Sequence, residues 1–278
     1  HRDLHSFPTR RSSDLFYTLG FKTGFERALF TRRTKEAYLI LQSEKTKRSN
    51  WPKHFPRFGG DFMITCKDYD GLTVLHHASR DGNTSVARFL TELHPYNFID
   101  LKDCQGRNVL HHAVLSECTS TVETVLQHLN VCDGKDKEGL TPLHYAIRQG
   151  NKDIVDALLK TNASVALFDK SGRVALHHVA QGTNNQSEIA KTLLKCHSEI
   201  EVYDLRGATP LHYAAKSGLC DLIELLVNHG ADINCLDINE ETPLHYAVKA
   251  NKAEVVETLL LKGSNPQITN IYGKLAVD

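Results

Sequence analysis

The sequence predicts an all-α solenoid, a stack of helical hairpins joined by short β-turn or hairpin connections. Three observations carry that prediction. The hexapeptide Thr141-Pro142-Leu143-His144-Tyr145-Ala146 returns verbatim at residues 209–214 and 242–247, with looser copies from Thr73, Asn108 and Val174. Asp68, Asp103, Asp136, Asp169, Asp204 and Asp237 each open a unit, and Asn270 opens a seventh, at intervals of 35, 33, 33, 35, 33 and 33 residues. Glycine stands three residues after every opener except the sixth, where Glu240 takes its place. Self-similarity at such a period means stacked supersecondary units, each burying its apolar face on its neighbours.

Residues 1–15 stand apart. The run Ser6-Phe7-Pro8-Thr9-Arg10-Arg11-Ser12-Ser13-Asp14-Leu15 resembles the translation of a DNA-sequencing adapter. These residues are expected to be non-native and disordered, and the chain to be a translated fragment. Residues 16–67 do not repeat. Residues 26–41 place Ala28, Leu29, Ala37, Tyr38 and Leu41 at the spacing of an amphipathic helix. Pro52, Pro56, Gly59 and Gly60 then interrupt any helix. Lys45, Lys47 and Arg48 read as a solvated face, against a membrane or nucleic-acid patch. The segment is expected to cap the first repeat, because terminal units of such arrays are atypical.

Residues 68–278 form the repeat domain. Asp three residues before Gly suits a tight turn: the carboxylate bonds nearby backbone and Gly accepts positive φ. Thr141, Thr209 and Thr242 are expected to cap the following helix, with Pro142, Pro210 and Pro243 at its first position. Leu143 and Ala146 share one helix face. Gly150 and Gly218 should end the first helix in a left-handed turn. Ile154, Val155, Leu158 and Leu159 make the apolar stripe of a second helix, as do Leu222, Ile223, Leu225 and Leu226, and Val255, Val256, Leu259 and Leu260. Repeat four is the weakest copy. Val174 cannot cap, and two extra residues fall near Gly182-Thr183-Asn184-Asn185. It is expected to be the most mobile internal repeat, with the lowest amide protection in hydrogen exchange. The extra length of the first repeat falls near Leu93-His94-Pro95.

Composition excludes several function classes. Thirty-three basic residues balance 33 acidic ones, so nothing global demands nucleic acid. No apolar run approaches the length of a membrane span. The seven cysteines are scattered without a CxxC pair. This points away from a disulfide framework or zinc site and toward reduced thiols in an intracellular, cytoplasmic protein. No phosphate loop, HExxH, GxSxG or EF-hand pattern occurs, so no catalytic residue, cofactor or metal is expected. His76, His111, His144, His177, His212 and His245 recur once per unit. Metal ligands must converge on one point, whereas these are strung along a line. They are expected to bond the backbone and the capping threonine.

The Thr-Pro-Leu-His signature, the Asp-x-x-Gly opener and the period together resemble the ankyrin-repeat family. The resemblance covers six repeats and a truncated seventh. It implies a non-catalytic protein–protein interaction scaffold that holds a partner in its concave groove. It also implies contact positions: the two residues between Asp and Gly, the one after Gly, and two near the end of the first helix. On this chain those positions include Arg80, Arg107, Lys137, Leu140, Arg148, Lys170, Arg173, Leu205, Arg206, Lys216, Ile238 and Lys249. In the full set nine basic residues face four acidic ones, Asp70, Asp81, Glu138 and Glu241. An acidic or phosphorylated protein segment is therefore the expected partner, with Leu140, Leu205 and Ile238 as apolar anchors. Leu226, eight residues before Asn234, resembles the ankyrin context hydroxylated by an asparaginyl hydroxylase; the competing reading is a structural asparagine in the inter-repeat turn. The array could equally be the cytoplasmic domain of an ion channel, the regulatory region of a larger enzyme, or part of a secreted toxin.

Overall fold

A computed structural model describes residues 34–43, 65–93, 101–128, 132–181, 185–196 and 198–277. The expectations for residues 1–15, for most of 16–67, for the extra length after Leu93 and for mobility at 182–184 lie outside them.

The described residues form helices α1 (Thr34–Ser43), α2 (Val74–Arg80), α3 (Thr84–Leu93), α4 (Val109–Leu115), α5 (Thr119–Leu126), α6 (Pro142–Gln149), α7 (Lys152–Lys160), α8 (Ala175–Val179), α9 (Gln186–Lys195), α10 (Pro210–Ser217), α11 (Cys220–Asn228), α12 (Pro243–Lys249) and α13 (Ala253–Leu261). Among them there is no β-strand, only an isolated antiparallel bridge between Thr269 and Leu275. Each repeat is a helical hairpin, and like packs on like. The even-numbered helices α2 to α12 form one layer and the odd-numbered helices α3 to α13 the other, each touching its counterpart in the next repeat.

The capping chemistry explains where these short helices begin. The side chains of Thr73, Asn108, Thr141 and Thr242 accept the N–H three residues on, at 3.4, 3.2, 3.4 and 3.4 Å. Pro142, Pro210 and Pro243 occupy the first turn, where a missing N–H costs nothing. Gly150 and Gly218 end α6 and α10 in the left-handed conformation. The predicted stripes are buried: Ile154, Val155, Leu158, Leu222, Ile223, Leu226, Val255 and Leu259 are each at most 1% exposed. Leu159, Leu225 and Val256 are half-buried, and Leu260 departs further, at 43% exposed. Among the described residues α13 has a second-layer neighbour on one side only, so its outer face stays open.

Repeat four bears out its missing cap. The backbone of Val174 (φ −92°, ψ 175°) matches that of Thr141 (φ −94°, ψ 165°), but valine offers no acceptor, and α8 runs only five residues. Val174→Thr should therefore raise stability by about 1 kcal/mol in urea titration. A variant no more stable than the parent would show that the cap is not what limits this helix.

A ladder of backbone hydrogen bonds links the turns. The N–H after each opener donates to the previous turn: Cys104 to Asp70, Lys137 to Gln105, Lys170 to Glu138, Leu205 to Ser171, Ile238 to Arg206 and Ile271 to Asn239, at 2.8–3.0 Å. That approach is what requires glycine. At Gly207 φ is +69° and a Cβ would lie 2.9 Å from the backbone nitrogen of Ile238. Glu240 holds the equivalent place with φ 56°, a strained conformation for a residue with a side chain.

Helix α1 packs against α2 at the start of the array. Tyr38 is 1% exposed and stacks on His77 with centroids 6.4 Å apart. The Thr34 hydroxyl lies 2.9 Å from Oδ2 of Asp68 and 3.2 Å from Nε2 of His77.

Candidate protein-binding surface

The surface is built on the opener aspartates. Oδ1 of Asp103 accepts the N–H groups of Gln105 and Arg107 at 2.8 and 2.9 Å. Oδ2 takes Nε and Nη2 of Arg107 at 2.9 and 2.8 Å and Nε2 of His112 at 2.9 Å. Asp169 holds Arg173 in the same two-pronged way, with Nε2 of His178 at 3.2 Å. In Asp136, Asp204 and Asp237 the second oxygen instead accepts a tyrosine hydroxyl, from Tyr145, Tyr213 and Tyr246 at 2.8, 2.5 and 2.9 Å. The partner always lies nine residues after the opener. Sequence reasoning missed this brace, although the constant Asp-to-His or Asp-to-Tyr spacing was there to be seen.

The signature histidines do what was expected of them. Nδ1 accepts the N–H of the capping residue, as in His144 from Thr141 at 3.0 Å and His212 from Thr209 at 3.1 Å. Nε2 of His111, His177, His212 and His245 reaches a carbonyl of the next repeat, at Leu140, Ala208, Glu241 and Lys274. Five of the six rings, all but that of His245, also meet the bracing residue of the following unit. His76 meets His112 and His144 meets His178 at centroid distances of 5.2 and 4.7 Å, while His111, His177 and His212 meet tyrosines. Burial pushes His76 down to about 3 and His111 and His144 down to about 4. Among the described residues no three His, Cys, Asp or Glu side chains gather as a metal site would require.

The same framework decides which predicted contact residues face outward. Leu140 does not. It is 6% exposed, its N–H is held by Asp136 and its carbonyl accepts from His111. Leu72, Ala208 and Glu241, at the same place in their turns, are likewise buried, whereas Arg107 and Arg173 are half-buried there and Lys274 is exposed. The expectation of Leu140 as an apolar anchor is thus corrected. Leu205 and Ile238, one residue after their openers, are 73% and 65% exposed.

The basic residues divide in the same way. Arg107 and Arg173 are spent on Asp103 and Asp169. Lys249 pairs with Glu241, and Arg80 lies 3.7 Å from Asp81. Nε of Arg148 donates to Nδ1 of His178 at 3.2 Å. Lys170 makes a loose contact of 3.7 Å with Glu138, both well exposed. Lys137, Arg206 and Lys216 are exposed and form no ion pair among the described residues. Three other lysines, just before their openers, act as clamps. Lys67, Lys102 and Lys135 each donate to the carbonyl at that position in the next repeat, on Lys102, Lys135 and Phe168, at 2.7, 2.9 and 2.6 Å.

Two concavities lie side by side over repeats four to six. One, of about 660 Å³, is lined by Lys170, Ser171, Arg173, Gln181, Asp204, Leu205, Arg206, Tyr213, Lys216 and Ser217. The other, of about 260 Å³, is lined by Arg206, Lys216, Glu241, Tyr246, Lys249 and Ala250. Arg206 and Lys216 form the wall between them. Asn234 lies elsewhere, half-buried; its Oδ1 accepts the Asn265 N–H at 2.8 Å, which is a structural role in the turn between repeats.

Fold and surface together define a scaffold of stacked repeats whose turn residues differ from one repeat to the next. Residues 53–133, 125–204 and 176–270 match the family described as ankyrin repeats (3 copies), and the chain belongs to that family. Ankyrin repeats mediate protein–protein interaction. The chain is similar to the ankyrin repeat domain of Bcl-3, described as a unique member of the IkappaB protein family. The two are 25% identical with a TM-score of 0.64, over 74% of this chain and 93% of that one. It is likewise similar to the human ASB11 ankyrin repeat domain, at 25% identity and a TM-score of 0.65, over 74% of this chain and 91% of that one. Among curated proteins no sequence matches. Among the described residues no helix is long and apolar enough to cross a membrane.

Proposed function

We propose that this chain is a non-catalytic scaffold that binds an acidic segment of a partner protein across the turns and first helices of repeats three to six, in a reducing cytoplasm. The observation that supports this is the position of Arg206 and Lys216. They are exposed cations without ion-pair partners among the described residues, set in the wall between two concavities. Leu205 and Ile238 stand exposed on neighbouring turns and offer apolar contact beside the charge.

Lys170→Glu, Arg206→Glu and Lys216→Glu combined should weaken binding of a glutamate-rich peptide by tenfold or more, mostly through slower association, with a flattened salt dependence. Arg148 and Arg173 are left intact in that variant because both serve the fold. Peptide binding that survives the triple reversal, in a protein whose circular dichroism is unchanged, would reject the proposal.

A further inference from the structure

We infer that the larger concavity, between repeats four and five, receives the phosphoryl group of a phosphorylated serine or threonine on the partner. The inference rests on the acidic-partner reading above and sharpens it from a run of carboxylates to one compact dianion.

The argument is where the charge remains once the fold has taken its share. Read along the chain, the nine basic residues look like a stripe that a polyacidic segment could follow. In the structure Arg107, Arg173 and Lys249 are matched by carboxylates at contact distance, and Arg148 is engaged by His178. Of what stays available, Arg206, Lys216 and the loosely held Lys170 line one cavity, while Lys137 and Arg80 lie outside it. The carboxylate in that lining is Asp204. It accepts the N–H groups of Arg206 and Ala208 at 2.8 and 2.9 Å and the Tyr213 hydroxyl at 2.5 Å. These donors are neutral, so Asp204 keeps its negative charge, but it is buried beneath the turn at 7% exposed and the three cations outnumber it.

A phosphomonoester near neutral pH carries a charge of about −1.5 to −2 on three acceptor oxygens, and suits a cavity lined by a guanidinium and two ammonium groups. A single carboxylate would leave most of those donors unmatched. Leu205 lines the same cavity and Ile238 follows on the next turn, so apolar residues beside the phosphorylated one are expected in the partner.

The test uses the full chain and three degenerate peptide libraries that share flanking positions and differ at a fixed central residue: phosphoserine, glutamate or serine. Fluorescence anisotropy should show the phosphoserine library binding at least tenfold more tightly than the glutamate library. Arg206→Gln with Lys216→Gln should erase that difference, and Lys137→Gln, outside the cavity, should preserve it. Equal binding of the phosphoserine and glutamate libraries would overturn the inference and leave the acidic-partner reading standing. Free phosphoserine competing as well as the peptides would also overturn it, because the site would then serve small phosphorylated molecules. If neither charged library nor a polyglutamate peptide binds the folded protein, both readings fall together.

Discussion

Acidification from pH 7 toward pH 4.5 should unfold the array cooperatively, well before most carboxylates titrate. The cause is the column of signature histidines. His76, His111 and His144 are buried as neutral rings, with pKa values moved from 6.5 to about 3, 4 and 4. His77, His112, His177, His178 and His212 are moved the same way, burial outweighing their neighbouring acceptors. A histidine whose folded pKa is depressed binds fewer protons folded than unfolded. Its contribution is intact above the unfolded value near 6.5 and is lost as pH falls toward the folded one. Each such group removes about 1.4 kcal/mol per pH unit, so His76, His111 and His144 alone would remove on the order of 8 kcal/mol by pH 4.5. That is comparable with the whole stability of an ordinary domain, about 5–15 kcal/mol.

The two His–His contacts make the effect sharper, because a proton on either ring is repelled by its neighbour. His178→Tyr places at this position the residue found in three other repeats, and should move the acid midpoint to lower pH. Circular dichroism against pH gives the readout. A helical signal unchanged down to pH 4 would contradict this account, as would a His178→Tyr midpoint above that of the parent.

Asp103→Ala should destabilise the protein by about 3–5 kcal/mol, the scale for removing one partner from a buried charge cluster. The Asp103 side chain is 1% exposed and serves two backbone N–H groups, a two-pronged arginine and a histidine. Burial alone would raise its pKa; the Arg107 N–H, His112 and the Arg107 side chain outweigh that and hold it low. Without it, Arg107 loses its counter-charge and the neutral His112 ring loses its hydrogen-bond acceptor. Asp136→Ala removes a half-buried carboxylate that braces Tyr145 with no arginine involved. That change should cost less, about 1–3 kcal/mol. Urea unfolding of the pair decides the matter: equal losses at the two positions would show that the arginine contact adds nothing. Asp103→Asn should fall between parent and Ala variant, since it keeps the turn acceptor and loses the charge.

Much of this protein was legible in its residues because its contacts are local and repeated. The openers at Asp68 to Asp237, the Thr-Pro caps at 141 and 242, the left-handed glycines at 150 and 218 and the stripes of α7 and α11 are short-range patterns; Thr209, expected to cap likewise, turns its hydroxyl to His212 and Cys235 instead. Backbone geometry alone turns them into helical hairpins, and periodicity alone stacks them. The failing cap at Val174 was visible for the same reason. The binding surface was another matter. Nothing in the composition of the face says that Arg107 and Arg173 are bound by Asp103 and Asp169, that Leu140 is drawn between repeats, or that Lys67, Lys102 and Lys135 clamp neighbouring carbonyls. Those outcomes depend on which groups meet when one turn seats on the next. A charge is free or spent only in three dimensions, because its nearest counter-charge is set by packing. Sequence by itself determined the scaffold; tertiary structure decided which cations are spent on the fold and that Lys170, Arg206 and Lys216 line one cavity.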